Sequence, residues 1–179
     1  MRKLRPFFLM AILFLADQAL AFAAILSPEG YGGVSIGMTL AELRKVWPPY
    51  DAIKINPDDR TDLVAYGSDD PVACEQYEMG RDSGLVVMVE HGLVTRVTAY
   101  GPHMMTQKGV GVGDSEASVR KAYGRKLVRK QSPFADGDAH DLYLWSGPKS
   151  GIRFGIDYRG KVAFIHAGGE SIGYEEGCL

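Results

Sequence analysis

Several of the signatures by which a sequence announces its chemistry are missing from this chain of 179 residues. The four histidines, His91, His103, His140 and His166, share no metal-ligand spacing, and no Gly-x-Ser-x-Gly elbow supplies a nucleophile. Gly109-Val-Gly-Val-Gly113 looks like a phosphate loop, but it lacks the third glycine at the required spacing. Asp114 then puts a carboxylate where an anion would sit at the following helix. Asp136-Gly-Asp-Ala-His-Asp141 alternates oxygen ligands without the closing glutamate of a calcium loop, and reads as a polar surface turn. No catalytic residue, metal or cofactor is therefore expected, and binding is favoured over catalysis.

Long apolar runs are also scarce, and the one at the N-terminus is short. Arg2, Lys3 and Arg5 precede an apolar stretch from Phe7 to Ala16, and Ala21-Phe22-Ala23 supplies a small-x-small cleavage pattern. A bilayer span needs roughly 20 apolar residues, so residues 1–23 read as a signal peptide cleaved after Ala23. The mature chain is then expected to be periplasmic or secreted, with no membrane span. No cysteine stands directly after the cleavage point, so a lipoprotein anchor is not expected. Cleavage leaves 179 − 23 = 156 residues, one domain's worth. It also shifts the charge to (20 − 3) − (22 − 1) = −4. An acidic domain is a poor partner for nucleic acid, whose affinity comes from cations neutralising phosphates. The basic cluster from Arg120 to Lys130 reads as the solvated end of a helix and the strand after it.

Cysteine is limited to Cys74 and Cys178. In an oxidising compartment two cysteines make one intramolecular bridge, and neither sits in a Cys-x-x-Cys or beside a histidine. A structural disulfide is expected, tying the glycine-rich tail from Gly168 to Leu179 to the body.

What the chain does contain is an internal likeness. Val34-Ser-Ile-Gly-Met-Thr-Leu-Ala-Glu-Leu-Arg-Lys-Val-Trp47 aligns without gaps on Val110-Gly-Val-Gly-Asp-Ser-Glu-Ala-Ser-Val-Arg-Lys-Ala-Tyr123. In each, a glycine (Gly37 or Gly113) is followed two residues later by a helix-capping hydroxyl. Thr39 forms a capping box with Glu42, and Ser115 is the equivalent N-cap. The first helix must stop at Pro48-Pro49 and the second at Gly124. Residues 84–100 read as a hairpin turning at His91-Gly92, and residues 151–166 as another turning at Arg159-Gly160. An earlier strand is expected near Glu75–Met79 and another near Leu142–Trp145, with surface loops at 51–72 and 131–141. The expected class is α+β: two tandem helix-plus-antiparallel-strand repeats, 24–104 and 105–179, forming one layer of sheet covered by short helices.

The residues Val34, Ile36, Gly37, Met38, Thr39 and Glu42, and more loosely Val110, Val112, Gly113, Ser115 and Val119, carry a resemblance to known families. They resemble the tandem-repeat fold of the beta-lactamase inhibitory protein (BLIP-like) family, and are similar to the SmpA/OmlA (BamE-like) envelope proteins. The resemblance implies an architecture, but its motif is a helix entry that assigns no site, and neither family's partner carries over to this chain. This chain lacks the lipid-anchoring cysteine of the BamE-like proteins. Its two cysteines also do not close the short loops of the inhibitory family.

Strand alternation turns Leu85, Val87, Val89, Val97, Ile152, Phe154, Ile156 and Ile165 toward the helices. The opposite face then carries Met88, Glu90, Arg96, Tyr100, Arg153, Asp157, Phe164 and His166, with Tyr143 and Trp145 beside them. Aromatics, methionine and arginine among charges suit a protein interface. The leading expectation is a periplasmic binding or inhibitor module that meets a protein partner of the cell envelope with this face. On that reading, alanine at Arg96, Tyr100 or Trp145 weakens capture without unfolding the domain. The alternatives are an envelope assembly or structural protein, and a small hydrolase or ligand carrier. The last requires a polar pocket near His166, Asp157 and Arg153.

Overall fold

The computed structural model describes residues 24–47, 52–55, 74–80, 83–132, 137–175 and 177–178. The expected signal peptide and most of the 51–72 loop lie outside the described residues. From the N-terminal side, β1 (Ile25–Ser27), β2 (Gly30–Tyr31) and β3 (Val34–Ser35) lead into α1 (Leu40–Val46). Then come β4 (Ala52–Ile55), β5 (Cys74–Met79), β6 (Leu85–Glu90), β7 (Leu93–Ala99) and β8 (Met105–Thr106). The remainder is α2 (Glu116–Tyr123), β9 (Val128–Gln131), β10 (His140–Gly147), β11 (Ser150–Ile156) and β12 (Val162–Gly168), closed by a 3₁₀ turn at Glu170–Gly173.

Eight strands form one antiparallel sheet in the order β4-β5-β6-β7-β12-β11-β10-β9. A second sheet, β3-β2-β1-β8, is mixed, because β1 pairs with β8 in parallel while its other pairs are antiparallel. The α+β expectation is therefore corrected: the chain is mostly β and is not a pair of helix-plus-strand repeats. The reason is quantitative. Helices α1 and α2 have only seven and eight residues, and each fully buries one side chain, Leu43 or Val119. The likeness between 34–47 and 110–123 marks two helix entries, while the scaffold is carried by strands. The small mixed sheet has no counterpart in the expected architecture.

Local chemistry explains the elements that do form. Thr39 accepts from the Glu42 backbone amide at 3.2 Å, and Glu42 Oε2 accepts from the Thr39 amide at 2.8 Å, so both ends of the capping box close. Those bonds hold the Glu42 carboxyl below its usual range. Ser115 caps α2 through the Ser118 amide, and α2 ends on Gly124 at φ +68°. The β6–β7 hairpin turns at His91-Gly92, and the β11–β12 hairpin turns over 157–161, where Asp157 Oδ1 accepts from the amides of Arg159 and Lys161. The inner face of the large sheet buries Leu85, Val87, Val89, Val97, Ile152, Phe154, Ile156 and Ile165 against both helices and the small sheet.

Beyond β12 the chain turns back over the outer face of the large sheet and ends in a disulfide, Cys178 to Cys74 at the start of β5, with the Cα atoms 5.3 Å apart. The turn out of β12 is made at Gly168, whose φ is +147° and where a Cβ would lie 2.3 Å from the Thr95 carbonyl oxygen. No other residue type fits that position without moving β7.

Phe154 is fully buried, and its ring lies 5.3 Å from that of Tyr123 on α2. Phe154→Ala is expected to cost about 3–5 kcal/mol, read as a lower urea midpoint at unchanged slope. A loss under about 1 kcal/mol would show that α2 does not depend on this contact.

Candidate functional site

The ten side chains expected on the outer face do share one region, but they do not form an open surface. Met88, Arg96, Tyr143, Arg153 and His166 are buried, and Glu90 and Phe164 are half-buried. Tyr100 and Trp145 are exposed, at 51% and 40%. Asp157 is spent on the β11–β12 turn. What covers the face is the C-terminal strap, described over residues 169–175 and 177–178, of which Ser171 and Ile172 are buried.

Two guanidiniums hold that strap. Arg96, from β7, donates from Nη1 to the carbonyl oxygens of Ser171 (2.9 Å) and Tyr174 (3.2 Å), and from Nη2 to Gln76 Oε1 (3.2 Å). Arg153, from β11, donates from Nη1 to the carbonyls of Ile172 (3.2 Å) and Tyr174 (3.4 Å). Its Nη2 bridges Asp141 Oδ2 at 2.8 Å and Glu175 Oε2 at 2.5 Å. The Ser171 hydroxyl donates to the Thr95 carbonyl at 2.9 Å. An alanine at Arg96 would therefore strip acceptors of their donor inside the fold, so the variant cannot report on an exposed interface.

The electrostatics follow from burial. Desolvation alone would lower Arg153, but its bonds to Asp141 and Glu175 outweigh this and raise it, so it stays charged. The Asp141 carboxyl is raised by burial, and Arg153 only partly offsets this because the same cation also serves Glu175. Arg96 is lowered by desolvation. Tyr143 is pushed up to about 12, chiefly by burial. Its ring has Lys130 Nζ 4.7 Å and the Arg153 guanidinium 5.5 Å from its centroid. His166 Nδ1 lies 2.8 Å from Thr98 Oγ1. Burial, then the neighbouring Arg96 and Arg153, hold its imidazole well below 6.5.

At one corner of the face the cover stops and leaves a cavity of about 270 Å³. Its walls include His140, Asp141, Arg153, Asp157, Phe164 and Glu175. His166 is not among them, so the expected grouping of His166, Asp157 and Arg153 is met only by the last two. Phe164 lies across its strand partner Gly155, where a Cβ would be 2.3 Å from the ring. That glycine leaves room for the aromatic ring, which is part of the cavity lining. Asp141, His140 and Glu175 were missed in the sequence. Alternation backward from Trp145 through Tyr143 reaches Asp141, so that signal was present; nothing in the sequence pattern placed Glu175. A second cavity of about 420 Å³, lined by Tyr31, Trp47, Leu85 and Met104 among others, lies by the small sheet. Ser83 and His103 are also in its lining, and among the described residues it holds no Asp, Glu, Lys or Arg. Among the described residues no cluster of histidine, cysteine and carboxylates could hold a metal ion.

No family model matches the chain, and no curated protein sequence matches it. Among solved structures the chain is similar to the uncharacterized protein YfeY from Escherichia coli. The TM-score is 0.53 at 12% identity, over 80% of this chain and 99% of that one. An extracellular SCP-domain protein from Bacillus anthracis aligns with a TM-score of 0.44 at 10% identity, over 75% of this chain and 44% of that one. The first likeness is one of fold alone.

The depressed His166 carries a pH dependence. The unfolded chain takes up a proton near pH 6.5, and the folded state does so only at lower pH, so stability falls as pH drops below that value. From pH 7.5 to 5.0 the loss can reach at most about 2 kcal/mol. Asp141 acts in the opposite sense, and only in the carboxylate range. Urea unfolding of wild type and His166→Gln at both pH values isolates the histidine, because the variant loses this slope. Identical slopes would show that His166 is protonated in the folded protein.

Proposed function

We propose that this chain is an exported binding module of the cell envelope that accepts a basic side chain of a protein partner in the corner cavity. The observation that carries the reading is the composition of that cavity. Its lining holds three carboxylates, Asp141, Asp157 and Glu175, against one guanidinium, Arg153, whose Cζ lies 5.4 Å from the centroid of the Phe164 ring. The surplus negative charge and the aromatic lining suit an arginine or lysine head, by ion pairing and by stacking beside that cation. Exposed Tyr100, its ring 6.2 Å from Phe164, extends the apolar rim. Interfaces concentrate their energy in such aromatic-lined pockets. Export is supported by the charged and apolar pattern of residues 2–23 and by a disulfide suited to an oxidising compartment. No helix of the described residues is long and apolar enough to cross a membrane.

Titration with Nα-acetyl-arginine amide, followed by NMR, tests the pocket. Shifts are expected at Phe164, Asp141 and Glu175, weakening at least several-fold in Phe164→Ala and with added salt. The neutral norleucine analogue should produce none of them. Equal responses to the arginine and norleucine amides would overturn the reading.

A further inference from the structure

The strap is held in a way that differs from the rest of the fold. It adds no strand to either sheet, so all eight strands of the large sheet keep their partners without it. It is attached by side-chain donors reaching its carbonyls, by one apolar anchor and by the disulfide at its end. The anchor, Ile172, is fully buried above Gly151, where a Cβ would stand 3.1 Å from Ile172 Cδ1. The same space is bounded by Trp145 Cε3 and the Leu144 carbonyl of β10, each 2.9 Å from that Cβ position, so the absence of a side chain at Gly151 lets Ile172 pack beside Trp145. Arg96 is 3% exposed, yet all three of its acceptors are neutral. No described carboxylate hydrogen-bonds to it. The Nε atoms of Arg96 and Arg153 are both buried without an acceptor. A buried, incompletely satisfied guanidinium is costly, and a second beside it makes the face hungry for carbonyls and carboxylates. The strap meets that need in part, through the carbonyls of Ser171, Ile172 and Tyr174 and the Glu175 carboxylate.

We propose that the outer face beneath the strap is a peptide-binding groove, with residues 169–178 as its tethered occupant. On this proposal the Cys74–Cys178 bond decides whether an acidic peptide from a partner can take their place. The groove reads backbone carbonyls through Arg96 and Arg153, an apolar residue over Gly151, and an acid three positions later, as in Ile172 and Glu175. Main-chain acceptors give it affinity and these two side chains give it selectivity. The bond opens when a dithiol supplies two electrons and two protons; the protein is left with two thiols and the reductant with a disulfide. Glycines 168, 169, 173 and 177 then leave the freed strap little conformational resistance to departure. The proposal does not depend on what the corner cavity binds.

The test uses the full mature chain with Cys74→Ser, Cys178→Ser and Ile172→Ala, the last removing the anchor of the competing strap. The probe is a fluorescent peptide copying residues 169–178 with serine in place of Cys178. Hydrogen exchange of residues 170–175 should accelerate at least about tenfold relative to the oxidised wild type. The peptide should bind the variant and not the oxidised wild type, and Arg96→Gln in the variant should weaken binding about tenfold. A strap that stays protected, a freed groove that leaves the peptide unbound, or binding indifferent to Arg96→Gln would each overturn the proposal. Loss of the far-ultraviolet strand signal in the variant would do so too, because the strap would then be an integral part of the fold. Treating wild type with a dithiol gives an independent check: exchange at 170–175 should rise while exchange in β6 and β7 does not.

Discussion

Two arginines in the middle of a sheet impose a demand that much of this molecule is arranged to meet. A guanidinium has five N–H donors and cannot be neutralised by losing a proton at any ordinary pH. Arg96 and Arg153, at 3% and 1% exposure, have surrendered water and must find acceptors within the protein. Strand backbone cannot supply them, because its carbonyls are committed to the ladder. The acceptors come from a segment with free carbonyls, the 3₁₀ turn at Glu170–Gly173 and the residues after it. From this constraint follow the reversal at Gly168, the burial of Ile172 and the disulfide that holds the strap's end. The charge state of the surroundings follows as well. His166 stands beside both cations and is kept neutral, and Asp141 shares one cation with Glu175.

The large sheet was legible because its inner face obeys strand alternation without exception from Leu85 to Val89 and from Ile152 to Ile156. Glycine at positive φ marks the β6–β7 and β11–β12 hairpins, Gly92 at +74° and Gly160 at +72°. The capping box at Thr39 and Glu42 was equally plain, since it depends on contacts three residues apart. The class was misjudged because the two helix entries are the most conspicuous local signals in the chain, although the helices they start are only two turns long. The small mixed sheet left no trace of that kind. Its strands have two or three residues, and β1 pairs in parallel with β8, about 80 residues away in sequence. Pairing over that distance is decided by packing and leaves no period in a short segment.

The candidate site was legible as a set of residues and illegible as a surface. Alternation correctly collects Met88, Arg96, Arg153, Phe164 and His166 on one side of the sheet. It cannot tell whether that side is wet. A run such as Gly151-Ile-Arg-Phe-Gly has the pattern of a strand with one face in solvent, where an arginine is unremarkable. The information that Arg153 is buried resides in the tail, whose glycines and single serine look like a loose end. Only the cysteine at 178 hinted that the tail returns to the body, and it gave no indication of the face on which it does so.

Glu175 joins the strap to the corner cavity. Its carboxylate is the strap's ionic contact with Arg153, and it is also a wall of the cavity. With the strap seated, Arg153 divides its donors between Asp141 and Glu175, which leaves the cavity with surplus negative charge and suited to a cation. With the strap displaced, Glu175 leaves, and Asp141 alone would balance Arg153. The surplus shrinks to the turn-bound Asp157. One side chain thus sets the size of the cavity's negative surplus according to where the tail lies. The positions of Arg153 and Asp141 need not change for this, because both are fixed on paired strands, β11 and β10, at neighbouring registers. If both proposed sites bind, recognition at the corner and occupancy of the groove are linked through a single carboxylate, and each then alters the other by the same free energy.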